Sequence, residues 1–177
     1  PETQAENFYL IKEKIGVKPY QTPGNSEVGK DYRQLKKLLE TGKWHKADEH
    51  TWEILLQIAV REDEGWLSAA DIDGFPLTDL LTIDQLWQQY SSGRFGLTVQ
   101  QQIWESVGGK YTELCDRVGW RVTENRKYYS ELSWGENAPP GHLPVTAWRH
   151  RACYGSGKLT AAENFARIVG RVATGDR

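Results

Sequence analysis

The sequence has little of what covalent or metal frameworks need. Among 177 residues there are two cysteines, Cys115 and Cys153, and no methionine. Two thiols outside any CxxC pair cannot build a disulfide framework and suit a reducing compartment. The four histidines, His45, His50, His142 and His150, form no HxxxH or HExxH pair, so the sequence offers no zinc site. No GxSxG elbow and no P-loop is present, which removes two common catalytic frameworks. No apolar run approaches the roughly 18–20 residues that a membrane span requires, and no signal peptide opens the chain. The net charge is −2 with no long block of one sign. The basic face that nonspecific nucleic-acid binding needs is therefore missing. The chain opens at Pro1, which leaves room for a longer parent protein.

What is present in excess is aromatic surface: eight tryptophans and eight tyrosines. Trp is large and carries an N–H that wants a partner, so a core of this size seldom needs so many. Some of these rings belong to the core, and the surplus suits a site for a flat, apolar ligand.

Helical periodicity dominates from residue 31 onward, after an N-terminal arm over 1–30 punctuated by Pro19, Pro23 and Gly24. The arm's apolar stretch, Phe8 to Ile11, is free to dock on the domain. Leu35, Leu38 and Leu39 define one helix that ends at Gly42. Trp44, Ala47, Thr51, Leu55 and Ile58 define the next, and a one-residue break makes the two a hairpin. Ser68 with Asp71 reads as a capping box, and Phe75-Pro76 stops that short helix. Thr82 is the expected N-cap of a helix carrying Ile83, Leu86, Trp87 and Tyr90. Thr98 is the expected N-cap of one carrying Val99, Ile103, Trp104 and Val107. Tyr111 to Val118 forms one more. Thr160 with Glu163 caps a last helix whose inner face is Phe165, Ile168, Val169 and Val172.

Residues 119–158 read differently. Pro, Gly and Asn recur and no strand alternation is sustained, yet Trp120, Tyr128, Tyr129, Trp134 and Trp148 crowd the stretch. Disordered segments are poor in aromatics. We read an ordered functional loop, since a long loop inside a compact domain usually carries function.

The candidate catalytic groups are isolated. Asp71 and Asp73 face apart on a helix and read as solvated surface. Cys115 reads as a buried structural thiol, and Cys153 lies among arginines in the loop. What remains is a binding pattern in which Arg121, Arg126 and Lys127 alternate with Tyr128, Tyr129 and Trp134. Aromatic faces bury a flat apolar ring, at roughly 25 cal/mol per Å², and cations at the rim pair with its carboxylates. A single strand of nucleic acid uses the same two residue types, but the acidic charge balance disfavours it.

An ordered series of segments then resembles one family. Leu38-Leu39-Glu-Thr-Gly42-Lys-Trp44-His-Lys-Ala47-Asp48 opens it, followed by Gly65-Trp66-Leu67, Asp71-Ile72, Phe75-Pro76, Asp79-Leu80, Thr82-Ile83-Asp84 and Leu86-Trp87. Gly93-Arg94-Phe95-Gly96-Leu97-Thr98-Val99-Gln100, Val118-Gly119-Trp120-Arg121 and Ala138-Pro139-Pro140-Gly141-His142-Leu143-Pro144 complete it. The series covers about residues 31–145 and is similar to the porphyrin-binding family of the fourth "genomes uncoupled" protein, a regulator of magnesium chelatase.

The resemblance implies an all-α, single cupped helical domain over 31–177 with its long aromatic loop before the last helix. It implies a noncatalytic monomer that binds protoporphyrin IX, magnesium protoporphyrin IX or, in some members, a bilin. The large porphyrin-binding subunit of magnesium chelatase is the implied partner. The implied location is the cytoplasm of a photosynthetic bacterium or the chloroplast stroma. Carried across by position, Trp66, Leu67, Ala69 and Ile72 form one wall of the ligand site. Arg126, Lys127, Tyr128, Leu132 and Trp134 form the loop side, and the alternation of aromatics and cations adds Arg121 and Tyr129 to the candidate ligand residues. Ala69 and Leu132 replace aromatics of the family pattern, which implies a roomier pocket. A bilin-binding or ligand-free sensory domain of a signalling protein is the alternative. His142 is read as a structural hydrogen-bonding residue rather than a metal ligand.

Overall fold

The structure is a computed structural model that describes residues 25–122, 125–145 and 160–175. Helix α1 (Arg33–Glu40) buries Leu35 and Leu39, one turn apart, and leaves its lysines in water. Gly42, at φ +64°, closes it in the left-handed conformation that glycine adopts without strain. Its N–H returns to Leu39 O while the Lys43 N–H returns to Leu38 O, so the freed carbonyls are satisfied before α2 begins. Helix α2 (Trp44–Ala59) is the spine of the domain. Trp44, Ala47, Asp48, Thr51, Trp52 and Leu55 lie on its buried side, and it packs on α1 as the expected hairpin.

The short helix α3 (Ala69–Asp73) begins with the expected capping box. Asp71 N–H donates to Ser68 Oγ, and the Ser68 N–H donates to the Asp71 carboxylate at 2.8 Å. Asp71 is thus a cap and also the partner of Arg61 at 3.0 Å, rather than a solvated acid.

The next two helices start earlier than their hydroxyl residues suggested. Helix α4 runs Leu77–Tyr90 with Pro76 at its cap, so Thr82 is an interior, buried residue. Its hydroxyl donates to Asn25 O at 2.7 Å. The cap comes from the arm instead: Glu27 Oε1 accepts the Thr78 N–H at 2.9 Å. Residues 25–27 are also held by Asp79, whose carboxylate accepts the Glu27 N–H and the hydroxyls of Ser26 and Tyr32. Residues 1–24, including the expected docking stretch Phe8 to Ile11, lie outside the described residues.

Helix α5 runs Leu97–Ser106, and Thr98 is again inside it. Its N-terminus is capped from α4 by buried Asp84, which accepts the Thr98 N–H at 2.9 Å and its hydroxyl at 2.5 Å. Gly96 (φ +126°) permits that approach, because a Cβ there would lie 2.7 Å from Asp84 Oδ1.

Helix α6 (Tyr111–Arg117) leads into a two-residue antiparallel ribbon, β1 (Arg121–Val122) and β2 (Asn125–Arg126), that the sequence pattern did not announce. A 3₁₀ turn follows at Tyr129–Glu131. Helix α7 (Ala161–Gly175) has the expected Thr160–Glu163 capping box and lies across α3, α4 and α5. It buries Phe165, Ile168, Val169 and Val172, each worth about 1.5–3 kcal/mol relative to exposure. Phe165 fits among Trp104, Tyr111 and Trp120, at centroid distances of 5.4, 5.9 and 5.9 Å. The fold is all-helical apart from the small ribbon. Among the described residues, no helix is long and apolar enough to cross a membrane.

Candidate functional site

The long loop is tied down at many points over 125–145. From α5, the buried Gln100 carboxamide donates to Gly141 O and Pro144 O at 3.0 and 2.8 Å. Trp120 Nε1 donates to His142 O at 2.8 Å, and Arg94 Nε donates to Ala138 O at 2.9 Å. His142 is wholly buried, and burial pushes its imidazole below the ordinary value, favouring the neutral form. As a neutral ring it donates from Nδ1 to Val118 O (2.5 Å) and accepts the Ser133 N–H at Nε2 (3.2 Å). Both nitrogens are committed to structure, as the sequence reading expected.

The aromatic end of the loop rests on the first turns of α2. Asp48, 2% exposed, points from the buried face of α2 into the loop. One oxygen accepts the Tyr129 hydroxyl and the other the Val145 N–H, both at 2.6 Å. Beside it, Tyr129, Trp134 and His45 form a closed triangle of rings. Their centroid distances are 4.9 Å (Tyr129–Trp134), 4.4 Å (His45–Trp134) and 5.5 Å (His45–Tyr129). Tyr129 and Trp134 are half-buried, whereas Leu132 between them is buried and fills the core. Tyr128 stands out at 77% exposure, although a hydroxyphenyl ring carries enough apolar area to favour cover.

The cations are distributed unevenly along this edge. Arg121 Nε is paired with Asp116 at 2.8 Å, which directs it toward α6. Lys127 is half-buried, its N–H bonded to Trp120 O. Arg126 pairs through its backbone with Arg121, and its side chain lies outside the described residues. Cys153 and the rest of the stretch from 146 to 159 lie outside them too.

The residues of the other expected wall divide between core and surface. Leu67 and Ile72 are each 2% exposed and line, with Leu55, Phe75, Leu80 and Ile168, a small void of about 10 Å³. That volume holds one water at most. Trp66 and Ala69 are half-buried and are the two of this group that retain surface. Leu55 and His45 are ten residues apart on α2, about 15 Å at 1.5 Å per residue. The structure thus brings Tyr129 and Trp134 together on the first turns of α2, and Leu67 with Ile72 near its other end.

Sequence reasoning missed Asp48 and His45 as parts of this site. Asp48 had a signal: it occupies the i+4 position between Trp44 and Trp52, an acid on an otherwise apolar face. His45 had none, because its contacts come from residues far along the chain. Chemically, the arrangement offers open and half-open aromatic rings on a rigid seat, with Lys127 nearby. These residues fit a flat, apolar, carboxylate-bearing ligand. Among the described residues, no cluster of three or more His, Cys, Asp or Glu is placed to hold a metal ion.

An all-helical domain with a long aromatic loop strapped over a helical hairpin defines the class of protein. The chain belongs to the GUN4-like family, whose pattern matches residues 25–156. It is 39% identical over 126 residues to the ycf53 protein of Pyropia yezoensis, covering 70% of this chain and 53% of that protein. It is 32% identical over 124 residues to the chloroplastic tetrapyrrole-binding protein of Arabidopsis thaliana, covering 63% of this chain and 47% of that one. The chain therefore spans about half the length of the curated relatives it matches. In three dimensions it resembles GUN4 of Chlamydomonas reinhardtii with a TM-score of 0.70 and 26% identity, covering 84% of this chain and 93% of that one. The ligand-free GUN4 structure of Arabidopsis thaliana matches with a TM-score of 0.66 and 26% identity, covering 82% and 95%.

Proposed function

We propose that this domain is a noncatalytic tetrapyrrole-binding module that takes protoporphyrin IX or magnesium protoporphyrin IX. In this reading it regulates magnesium chelatase in chlorophyll synthesis through the large porphyrin-binding subunit. The observation that carries the reading is the ring-lined end of the long loop, seated on α2 with Tyr128 exposed beside it, in a chain of the GUN4-like family. The name of the Arabidopsis relative supports the ligand class. The ring faces of the ligand lie against Tyr128, Tyr129 and Trp134 on the loop side, with Trp66 and Ala69 as the half-buried members of the second wall. Arg121, Arg126 and Lys127 meet the carboxylates. Leu67, Ile72 and Leu132 act from beneath, by shaping the surface rather than by offering open area. The chloroplastic relative supports a photosynthetic setting, bacterial cytoplasm or chloroplast stroma.

Titration of the purified domain with protoporphyrin, magnesium protoporphyrin and a bilin tests this reading, followed by Trp fluorescence and pigment absorbance. Saturable porphyrin binding in the low micromolar range or tighter is expected. Selective bilin binding moves the assignment to a sensory domain, a reading favoured by the small Ala69 side chain at the half-open wall. No binding of any of the three overturns both pigment-binding readings and leaves the ligand-free sensory domain.

A further inference from the structure

His45 is the surplus group at this face. It stands in the first turn of α2, 46% exposed, and is the only member of the ring triangle supplied by a helix rather than by the loop. The other described imidazoles are engaged. His142 spends both nitrogens on the Val118 carbonyl and the Ser133 N–H, and His50 Nδ1 lies 2.9 Å from Glu53. Among the described residues, His45 makes no hydrogen bond. Its Nε2 lies 3.8 Å from Glu49 Oε1, too far for a hydrogen bond. A nitrogen lone pair is thus uncommitted on a rigid element, against the two loop rings that the proposed function places on the ligand.

We propose that His45 supplies the axial nitrogen ligand to the metal of a metallated tetrapyrrole, so that the site distinguishes metallated from metal-free rings. The inference rests on the tetrapyrrole-binding reading above. A macrocycle satisfies its metal in the ring plane and leaves the positions above and below that plane open. A neutral imidazole is a common ligand for such a position. Trp134 meets the imidazole at 63° between planes, and the imidazole side chain keeps 46% of its surface open. A ligand face made of hydrocarbon rings alone has no means of sensing the metal.

Zinc protoporphyrin is the probe, since zinc accepts imidazole nitrogen readily at about 2.0–2.1 Å. The parent chain is titrated with zinc protoporphyrin and with metal-free protoporphyrin, reading affinity and the position of the Soret band. Zinc protoporphyrin is expected to bind at least about tenfold more tightly than the free base, with the longer-wavelength Soret shift of axial nitrogen donation. His45→Phe keeps a ring against Trp134 and Tyr129 but has no donor. It is expected to abolish both the preference and the shift, each read against the variant's own free-base affinity. His45→Ala repeats the test without the ring. If His45→Phe binds zinc protoporphyrin with the parent's affinity and spectrum, the proposal is wrong. The same holds if Glu49→Gln, rather than His45→Phe, removes the zinc preference. Free-base binding separates the two readings: binding without a zinc increment overturns only the role of His45, and no binding of either pigment overturns both.

Discussion

The phenol of Tyr129 donates to Asp48 Oδ2 at 2.6 Å across 81 residues of sequence. The other oxygen of the same carboxylate takes the Val145 N–H. One buried acid on α2 therefore holds both ends of the 129–145 segment and sets where its aromatic rings stand. Tyr129→Phe removes one of these bonds and is expected to cost about 1 kcal/mol. Asp48→Ala leaves a buried N–H and a phenol without that acceptor and is expected to cost about 3 kcal/mol. Urea unfolding measures both. An Asp48→Ala variant as stable as the parent would show that the staple does not hold the loop.

Tyr128 and Trp134 separate binding from stability. Tyr128 is mostly in water, so Tyr128→Ala is expected to leave unfolding within about 0.5 kcal/mol of the parent. The same change is expected to weaken protoporphyrin binding about five- to tenfold. Trp134→Ala removes ring contacts to both His45 and Tyr129 and is expected to weaken binding and also lower stability by about 1–2 kcal/mol. Fluorescence titration beside thermal unfolding resolves the two effects. Unchanged affinity in both variants would remove these rings from the ligand face.

Asp84 gives the pH dependence an unusual sign. Burial, the dominant influence, raises its carboxyl above the ordinary 3.8, although the hydrogen bonds from Thr98 and Gln88 pull it back in part. The folded chain therefore holds this proton more tightly than the unfolded chain. Its contribution to stability grows as pH falls through the raised folded value and is complete below about 3.8. Asp84→Asn does not titrate, so the stability of the parent minus that of the variant is expected to rise toward acid pH. Denaturant unfolding at a series of pH values reads this difference. A difference that shrinks toward acid pH would place a depressed carboxyl there instead.

Two glycines at positive φ should respond differently to a methyl group. At Gly96 (φ +126°) a Cβ meets Asp84 Oδ1 at 2.7 Å and Gln88 Cγ at 2.9 Å. Gly96→Ala is expected to cost at least about 2 kcal/mol, from backbone strain and from pushing apart the Asp84 cap. At Gly29 (φ +74°) a Cβ meets nothing within 4 Å. Gly29→Ala is expected to cost about 1 kcal/mol, from conformation alone. Thermal unfolding of the pair checks the ranking, and equal losses would mean that the contact at Asp84 adds nothing.

Helices α1, α2, α3, α6 and α7 were legible in the sequence because their signals are local. Leu35 and Leu39 share a face one turn apart, and Ser68 and Thr160 are capped by acids three residues on. The starts of α4 and α5 were not, although Thr82 and Thr98 look like caps. The groups that cap those helices, Glu27 and Asp84, come from distant positions, and a hydroxyl in a sequence does not say where its hydrogen bond goes. Tyr128, Tyr129 and Trp134 were legible as candidate ligand residues because aromatics are costly to expose and dense in a loop. That Leu67 and Ile72 are core, and that His45 and Asp48 meet the loop, follows only from packing.

The sequence alone thus determined the helical class, the family and the aromatic surplus. Periodicity, capping boxes and ordered motifs act over a few residues and survive without coordinates. The tertiary structure decided which of those aromatics keep surface and which acids are buried as caps. It also decided which of the described imidazoles is left without a hydrogen bond among the described residues. Each of these depends on what a side chain meets from another part of the chain, and nothing in the spacing of one segment encodes the neighbour that folding brings against it.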